Sequence, residues 1–221
     1  MNIAGDQASL DALTELGART VPVVSRGSEW THAIKKSSIV EFLGLDENTD
    51  PVLDPQTLVD RLDQVLAGSQ RFVAQFSNEQ LDLKLTNRDR SYRVIAHHIF
   101  QIPVAFLEVA ENDEFLSHEM TVKEPGPDQQ TPEQIVAFGQ TVRDRLAAYR
   151  PGLDEAQANR EVKTYWADQS LHELLERTTW HSGQHARQLM SLLEQLGTAP
   201  QGPLGDETFA DLPIPQKVWD D

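Results

Sequence analysis

From residue 55 onward the apolar residues recur at helical spacing. Leu58, Leu62, Val65, Ser69, Phe72 and Phe76 form one stripe over about 55–77, behind Asp54 as N-cap and Pro55 at the first helical position. A second stripe over about 91–111 reads Ile95, His98, Ile102, Ala105 and Val109. A third helix opens at Thr131-Pro132-Glu133 and runs to about Tyr149, with Ile135, Phe138, Val142 and Tyr149 facing inward. The fourth begins at the capping-box sequence Ser170-Leu171-His172-Glu173 and ends before Gly197. Its stripe is Leu171, Leu174, Thr178, His181, His185, Leu189, Leu192 and Leu196. Four long amphipathic helices with heptad-like apolar spacing predict a mainly α protein built on a four-helix bundle.

The first fifty residues follow another pattern. A short helix over 8–16 stops at Gly17, residues 20–24 and 29–33 alternate as strands about a turn at Arg26-Gly27-Ser28, and a helix over 36–43 closes at Gly44. An acidic stretch with two prolines, 46–55, reads as a linker. The chain thus divides into a small α/β module (1–46), the bundle (54–197) and a tail (198–221). The tail, with four prolines, is expected to lie over the bundle surface.

Composition narrows the function classes. Among 221 residues, 35 are acidic and 19 basic, a formal charge of −16 with a pI near 4.7. Such a chain repels phosphate backbones and anionic lipid surfaces, so neither nucleic acid nor membrane is expected as a partner. The absence of cysteine excludes disulfides, thiolate metal sites and a cysteine nucleophile. No apolar run has the length of a membrane span, and Met1-Asn2-Ile3-Ala4-Gly5-Asp6 lacks the features of a signal peptide, which makes a cytoplasmic location the expectation.

The chemistry lies in the histidines. His181 and His185 stand one turn apart in the middle of an apolar seam, so both imidazoles can reach one point. Gly183 between them removes bulk that a close partner would meet. The second helix offers His97 and His98. His98 shares the inward stripe, whereas His97 shares a face with Gln101, Glu108 and Glu111 and reads as flanking or solvated. His98, His181 and His185 are therefore the candidate metal ligands. Neutral imidazoles suit zinc, nickel, copper or ferrous iron, and three of them leave a coordination position open. The competing reading is a set of buried, hydrogen-bonded core histidines.

The segment Trp180-His181-Ser182-Gly183-Gln184-His185-Ala186-Arg187-Gln188-Leu189, followed by a helix end at Gly197, resembles the last-helix signature of the DinB-like (YfiT-like) metalloprotein superfamily. Ser91-Tyr92-Arg93-Val94-Ile95-Ala96-His97-His98-Ile99 is similar to the stretch that carries that family's first histidine, and places it at His98. The resemblance covers about 55–197. It implies a three-histidine divalent metal site and, from the family's thiol-using members, a thiol S-transferase or thiol-dependent isomerase. The alternatives are a non-catalytic, stress-related binding bundle and a metal-dependent hydrolase, which needs a general base that the sequence does not locate.

In the first module, Gly17-Ala18-Arg19-Thr20-Val21-Pro22-Val23-Val24, Gly27 and Ile39-Val40-Glu41-Phe42-Leu43-Gly44 resemble the second half of a glutaredoxin. The first half, with its Cys-x-x-Cys, is missing, so redox exchange is excluded. The resemblance implies a cis proline at Pro22 and a thiol-peptide edge at Val21 and Pro22, with glutathione as the natural cosubstrate; a packing module is the alternative. The exposed edge makes a homodimer an expectation. Arg187 is a candidate anchor for an anionic small-molecule substrate, with a surface ion pair to Glu194 as its alternative. Trp30, Trp166, Trp180 and Trp219 are candidate pocket walls or core contacts, and Tyr92, Arg93 and Tyr165 candidate rim residues. His118 and His172 are expected to be solvated.

Overall fold

The computed structural model describes residues 7–18, 21–86 and 88–218, and divides the chain into two compact units at Asp50–Pro51. Thr20 and Trp219, singled out above, lie outside the described residues.

The first unit contains helix α1 (Gln7–Glu15), an antiparallel hairpin of β1 (Val23–Arg26) and β2 (Glu29–His32), and helix α2 (Lys36–Leu43). The expected order of elements is present. Gly27 at the turn and Gly44 after α2 both take the left-handed conformation that glycine adopts without a steric penalty. The Val21–Pro22 peptide bond is cis. Trp30 meets His32 edge-on at 5.1 Å, and Arg26 stacks over Phe42 at 5.6 Å.

In the second unit α3 (Pro55–Val73) opens on Asp54, whose carboxylate accepts from Gln56 N and Thr57 N, each at 3.0 Å. The expected stripe from Leu58 to Phe76 is buried throughout. Next come α4 (Asn78–Leu81), α5 (Tyr92–Asn112), α6 (His118–Val122) and α7 (Pro132–Tyr149). After a turn of 3₁₀ helix and α8 (Glu155–Ala158), a hairpin of β3 (Glu161–Lys163) and β4 (Asp168–Ser170) leads into α9 (Leu171–Gln195). The tail carries α10 (Asp206–Phe209).

The four long helices α3, α5, α7 and α9 form the bundle. Both α7 and α9 pack against α3 and against α5, so α3 and α5 face each other across the diagonal. Of the consecutive long helices only α5 and α7 are neighbours, and the 74–91 connection has to cross the end of the bundle. Gly139 on α7 makes room for the Phe100 ring of α5: a methyl group there would lie 2.6 Å from that ring. α5 has the length and mean hydropathy (1.2) of a membrane span, unlike the expectation above, yet it is the buried central helix of the bundle.

The tail lies along the bundle. Leu204 packs on Gly68, Phe209 and Ile214 on Gly183, and Gln75 and Arg71 donate to the carbonyls of Ala199 and Gly202. The space at Gly183 thus receives the tail rather than a partner of the histidines.

Candidate metal centre

Two irregularities in the central helices set the site. Pro103 lies inside α5 and has no N–H to donate to the carbonyl of Ile99, four residues back. Ser182 on α9 fills that vacancy, its hydroxyl donating to Ile99 O at 3.1 Å from a fully buried position. The pair is a polar rivet between two apolar helices. On either side of it, Ile99 follows His98 and Ser182 follows His181. The rivet therefore fixes the register that turns these two imidazoles toward each other.

One ring nitrogen each of His98, His181 and His185 lies within 4.8 Å of the others. The Nε2 atoms of His98 and His181 are 3.4 Å apart, and His185 brings its ring centre to 5.0 Å from each of the other two. His98 and His185 are buried, and His181 is partly exposed at the mouth of the cluster. The outer ring positions are held as well. His185 Nδ1 is 2.9 Å from Gln188 Oε1, an acceptor, which keeps the proton on Nδ1 and the lone pair on Nε2. His98 hydrogen-bonds the backbone of Thr121 on α6.

Burial is the main cause that keeps all three imidazoles neutral. It holds His98 and His181 well below the usual imidazole range, helped by repulsion between the rings on protonation and by nearby arginines. Burial likewise lowers His185 to about 4, with the Gln188 hydrogen bond opposing and Arg90 and Arg88 reinforcing. Charges of histidines and arginines act on the three rings, and Arg90 acts on all of them. Neutral imidazoles with converging lone pairs are the donor set a divalent transition metal takes. Two nitrogens bound at about 2.1 Å to a tetrahedral ion stand roughly 3.4 Å apart, which the His98–His181 spacing matches. The residues fit a metal ion.

The other expected residues fall elsewhere. His97 is buried, not solvated: it stacks on Phe138 at 5.1 Å and lies outside the cluster. Burial lowers it to about 4, opposed by a hydrogen bond with Gln129. Arg187 lies two residues past His185, more than half a turn round α9, and its guanidinium donates to Pro215 O (2.6 Å), Gln216 O (2.8 Å) and Gln184 Oε1 (2.9 Å). It clamps the tail and is not brought to the histidines. His172 bonds Leu53 O at 2.8 Å, whereas His118 is exposed and meets Tyr165 edge-on. Arg93 pairs with Asp82 and donates to Gln130 O, and Tyr92 is a buried core residue. In the first unit Val21 is 44% exposed and the Pro22 carbonyl accepts from Ala33 N.

The residues that sequence reasoning passed over are Ser182, Gln188 and Thr121. A proline within a helix followed by a serine beside a histidine on its partner helix was the available signal for the first.

No protein-family model and no curated protein matches the chain. Among solved structures it is similar to a DinB-like protein, YjoA, from Bacillus subtilis, at 15% identity with a TM-score of 0.52, covering 64% of this chain and 92% of that one. It is also similar to YfiT from Bacillus subtilis, at 18% identity with a TM-score of 0.54, covering 70% of this chain and 96% of that one. The second unit has the DinB-like fold. YfiT is described as having "an unusual four-helix bundle topology", and the diagonal placement of α3 and α5 departs from simple up-and-down order in this chain too.

Proposed function

We propose that this chain is a metal-dependent enzyme acting on a small-molecule substrate, with His98, His181 and His185 as the ligands of one divalent transition metal such as zinc, nickel or iron. The observation that carries this reading is the convergence of three neutral imidazoles with their outer nitrogens oriented by Gln188 and Thr121. When bound, the ion supplies Lewis acidity. The protein's own part is to hold the ring tautomers, to keep water out on the Ile99–Ser182 side, and to leave access beside the half-buried His181.

The reaction we propose is transfer to a thiol cosubstrate, with glutathione as first choice. Two features support it. The chain has no cysteine of its own, so the thiol comes from solution. The arginine charges that act on the triad are positive, a field that favours an arriving thiolate. Hydrolysis is the second reading, favoured by the structural similarity to YfiT, described as a "probable metal-dependent hydrolase". Turnover of a model electrophile such as 1-chloro-2,4-dinitrobenzene by the zinc-loaded protein, followed with and without glutathione, tests the choice. Glutathione-dependent conjugation that disappears in His98→Ala supports transfer; thiol-independent turnover of an ester panel with no conjugation contradicts it.

A further inference from the structure

One turn before His181, α9 carries Arg177. Its guanidinium carbon lies 4.8 Å from the ring centre of Trp166, in the β3–β4 turn, and 5.5 Å from that of Trp180 on its own helix. Trp180 in turn borders His181, ring centres 5.7 Å apart. The turn that delivers Trp166 is locked by Thr164, whose hydroxyl donates to Ala167 O at 2.6 Å and accepts from Ala167 N at 3.2 Å.

This cation stands partly buried and without a counter-charge. Burial lowers its pKa, and the fold offers it two indole faces but, among the described residues, no carboxylate and no hydrogen-bond acceptor. Both arginines of α7, by contrast, have carboxylates: Arg143 grips Asp63, and Arg145 grips Glu108 and Glu111. The contrast is sharp in a chain of charge −16, where acidic side chains are abundant. Beside the partly exposed Arg177, the Trp166 indole N–H is buried and without an acceptor. The indole N–H is thus a buried donor left unmatched, which is unfavourable unless a ligand supplies an acceptor, and the partly exposed guanidinium beside it has no acceptor among the described residues. The charge of Arg177 reaches His181, so whatever it binds sits beside the triad.

We infer that Arg177, framed by Trp166 and Trp180, is the specificity residue of the site: it binds an oxyanion group, carboxylate or phosphate, on a substrate whose reacting end reaches the histidine cluster. A guanidinium offers planar, paired N–H donors matched to such groups. The indoles hold it in place without competing for those donors, and the Trp166 N–H supplies a further one. The substrate class is a small organic acid or phosphate ester, and this part of the account rests on the triad being the reacting centre.

The test is calorimetric titration of the zinc-loaded full chain with benzoate and, separately, with inorganic phosphate. Wild type should bind at least one probe saturably in the millimolar range. Arg177→Met, which keeps an apolar stem between the indoles, should weaken that probe about tenfold or more, and Arg177→Lys should lose less. Binding of benzoate alone identifies a carboxylate, and of phosphate alone a phosphate; either supports the inference. Binding by Arg177→Met within about twofold of wild type, or no saturable binding of either probe by wild type, overturns it. Zinc content measured on the same samples separates the two readings. A chain that binds the anion through Arg177 but no zinc refutes the metal centre alone, and one that holds zinc but fails the titration refutes only the role of Arg177.

Discussion

Ser182 shows how much of the site rests on a residue without chemistry of its own. Its hydroxyl satisfies the carbonyl that Pro103 leaves open, in the dry interior between the two helices that carry the histidines. Removing it leaves a buried acceptor unsatisfied, so Ser182→Ala should lower stability by about 1–3 kcal/mol in urea unfolding. It should also weaken metal retention, because the register of His98 against His181 loosens. Unchanged stability would show that the Ile99 carbonyl finds another partner. Titration acts at the same scale. Burial depresses the imidazoles below their unfolded value of about 6.5, His185 to about 4. Between those values the unfolded chain binds more protons than the folded one, so stability rises with pH across this window and is lost as pH falls. The metal-free protein should thus lose stability from about pH 6.5 down to about pH 4, on the order of 3 kcal/mol from His185 alone. A flat stability profile over that range contradicts the burial argument.

At the scale of elements, caps and seams were legible in the sequence and the turns between them were not. Asp54, Ser170 and Glu173 announce the starts of α3 and α9 by side-chain hydrogen bonds that need only local geometry, and Pro55 does so by its fixed φ at the first helical position. Asp54→Ala should cost about 1 kcal/mol, read from the thermal midpoint; no shift would show that Pro55 and the packing of Leu58 fix the start unaided. The β3–β4 hairpin had no such signature. Its strands are three residues each, too short for an alternation to stand out, and they are held by the Leu116–Thr164 bridge from a distant segment. His97 was misjudged for a related reason: periodicity on α5 located one inward stripe, but this helix is enclosed by α7, α9 and α6, so its flanks are buried too. Arg187 was misplaced because the path of the tail, which supplies the carbonyls it binds, is set by packing at Gly68 and Gly183 rather than by local sequence. Gly139→Val should disrupt the α5–α7 contact at Phe100 and lower stability by roughly 1–3 kcal/mol, with the denaturation midpoint as the readout.

For the whole molecule, the histidine spacing and the apolar seams together conveyed the bundle and its centre. What they did not convey was the order of the helices around it. That order places α5 opposite α3 and beside α9, the pairing that joins His98 to His181 and His185. It also leaves the centre among arginines in a strongly acidic chain, which is why an anionic thiol and an anionic substrate are the partners proposed. Metal stoichiometry tests this account most directly. Protein refilled with zinc and exhaustively dialysed should retain about one equivalent per chain by mass spectrometry. His98→Ala, His181→Ala and His185→Ala should each fall to a small fraction of that, while His97→Ala stays near wild type. Wild-type protein that retains less than about a third of an equivalent after refilling, or a His97→Ala variant that loses metal as His98→Ala does, would contradict it and leave the 3.4 Å His98–His181 contact as an ordinary N–H···N hydrogen bond in the core.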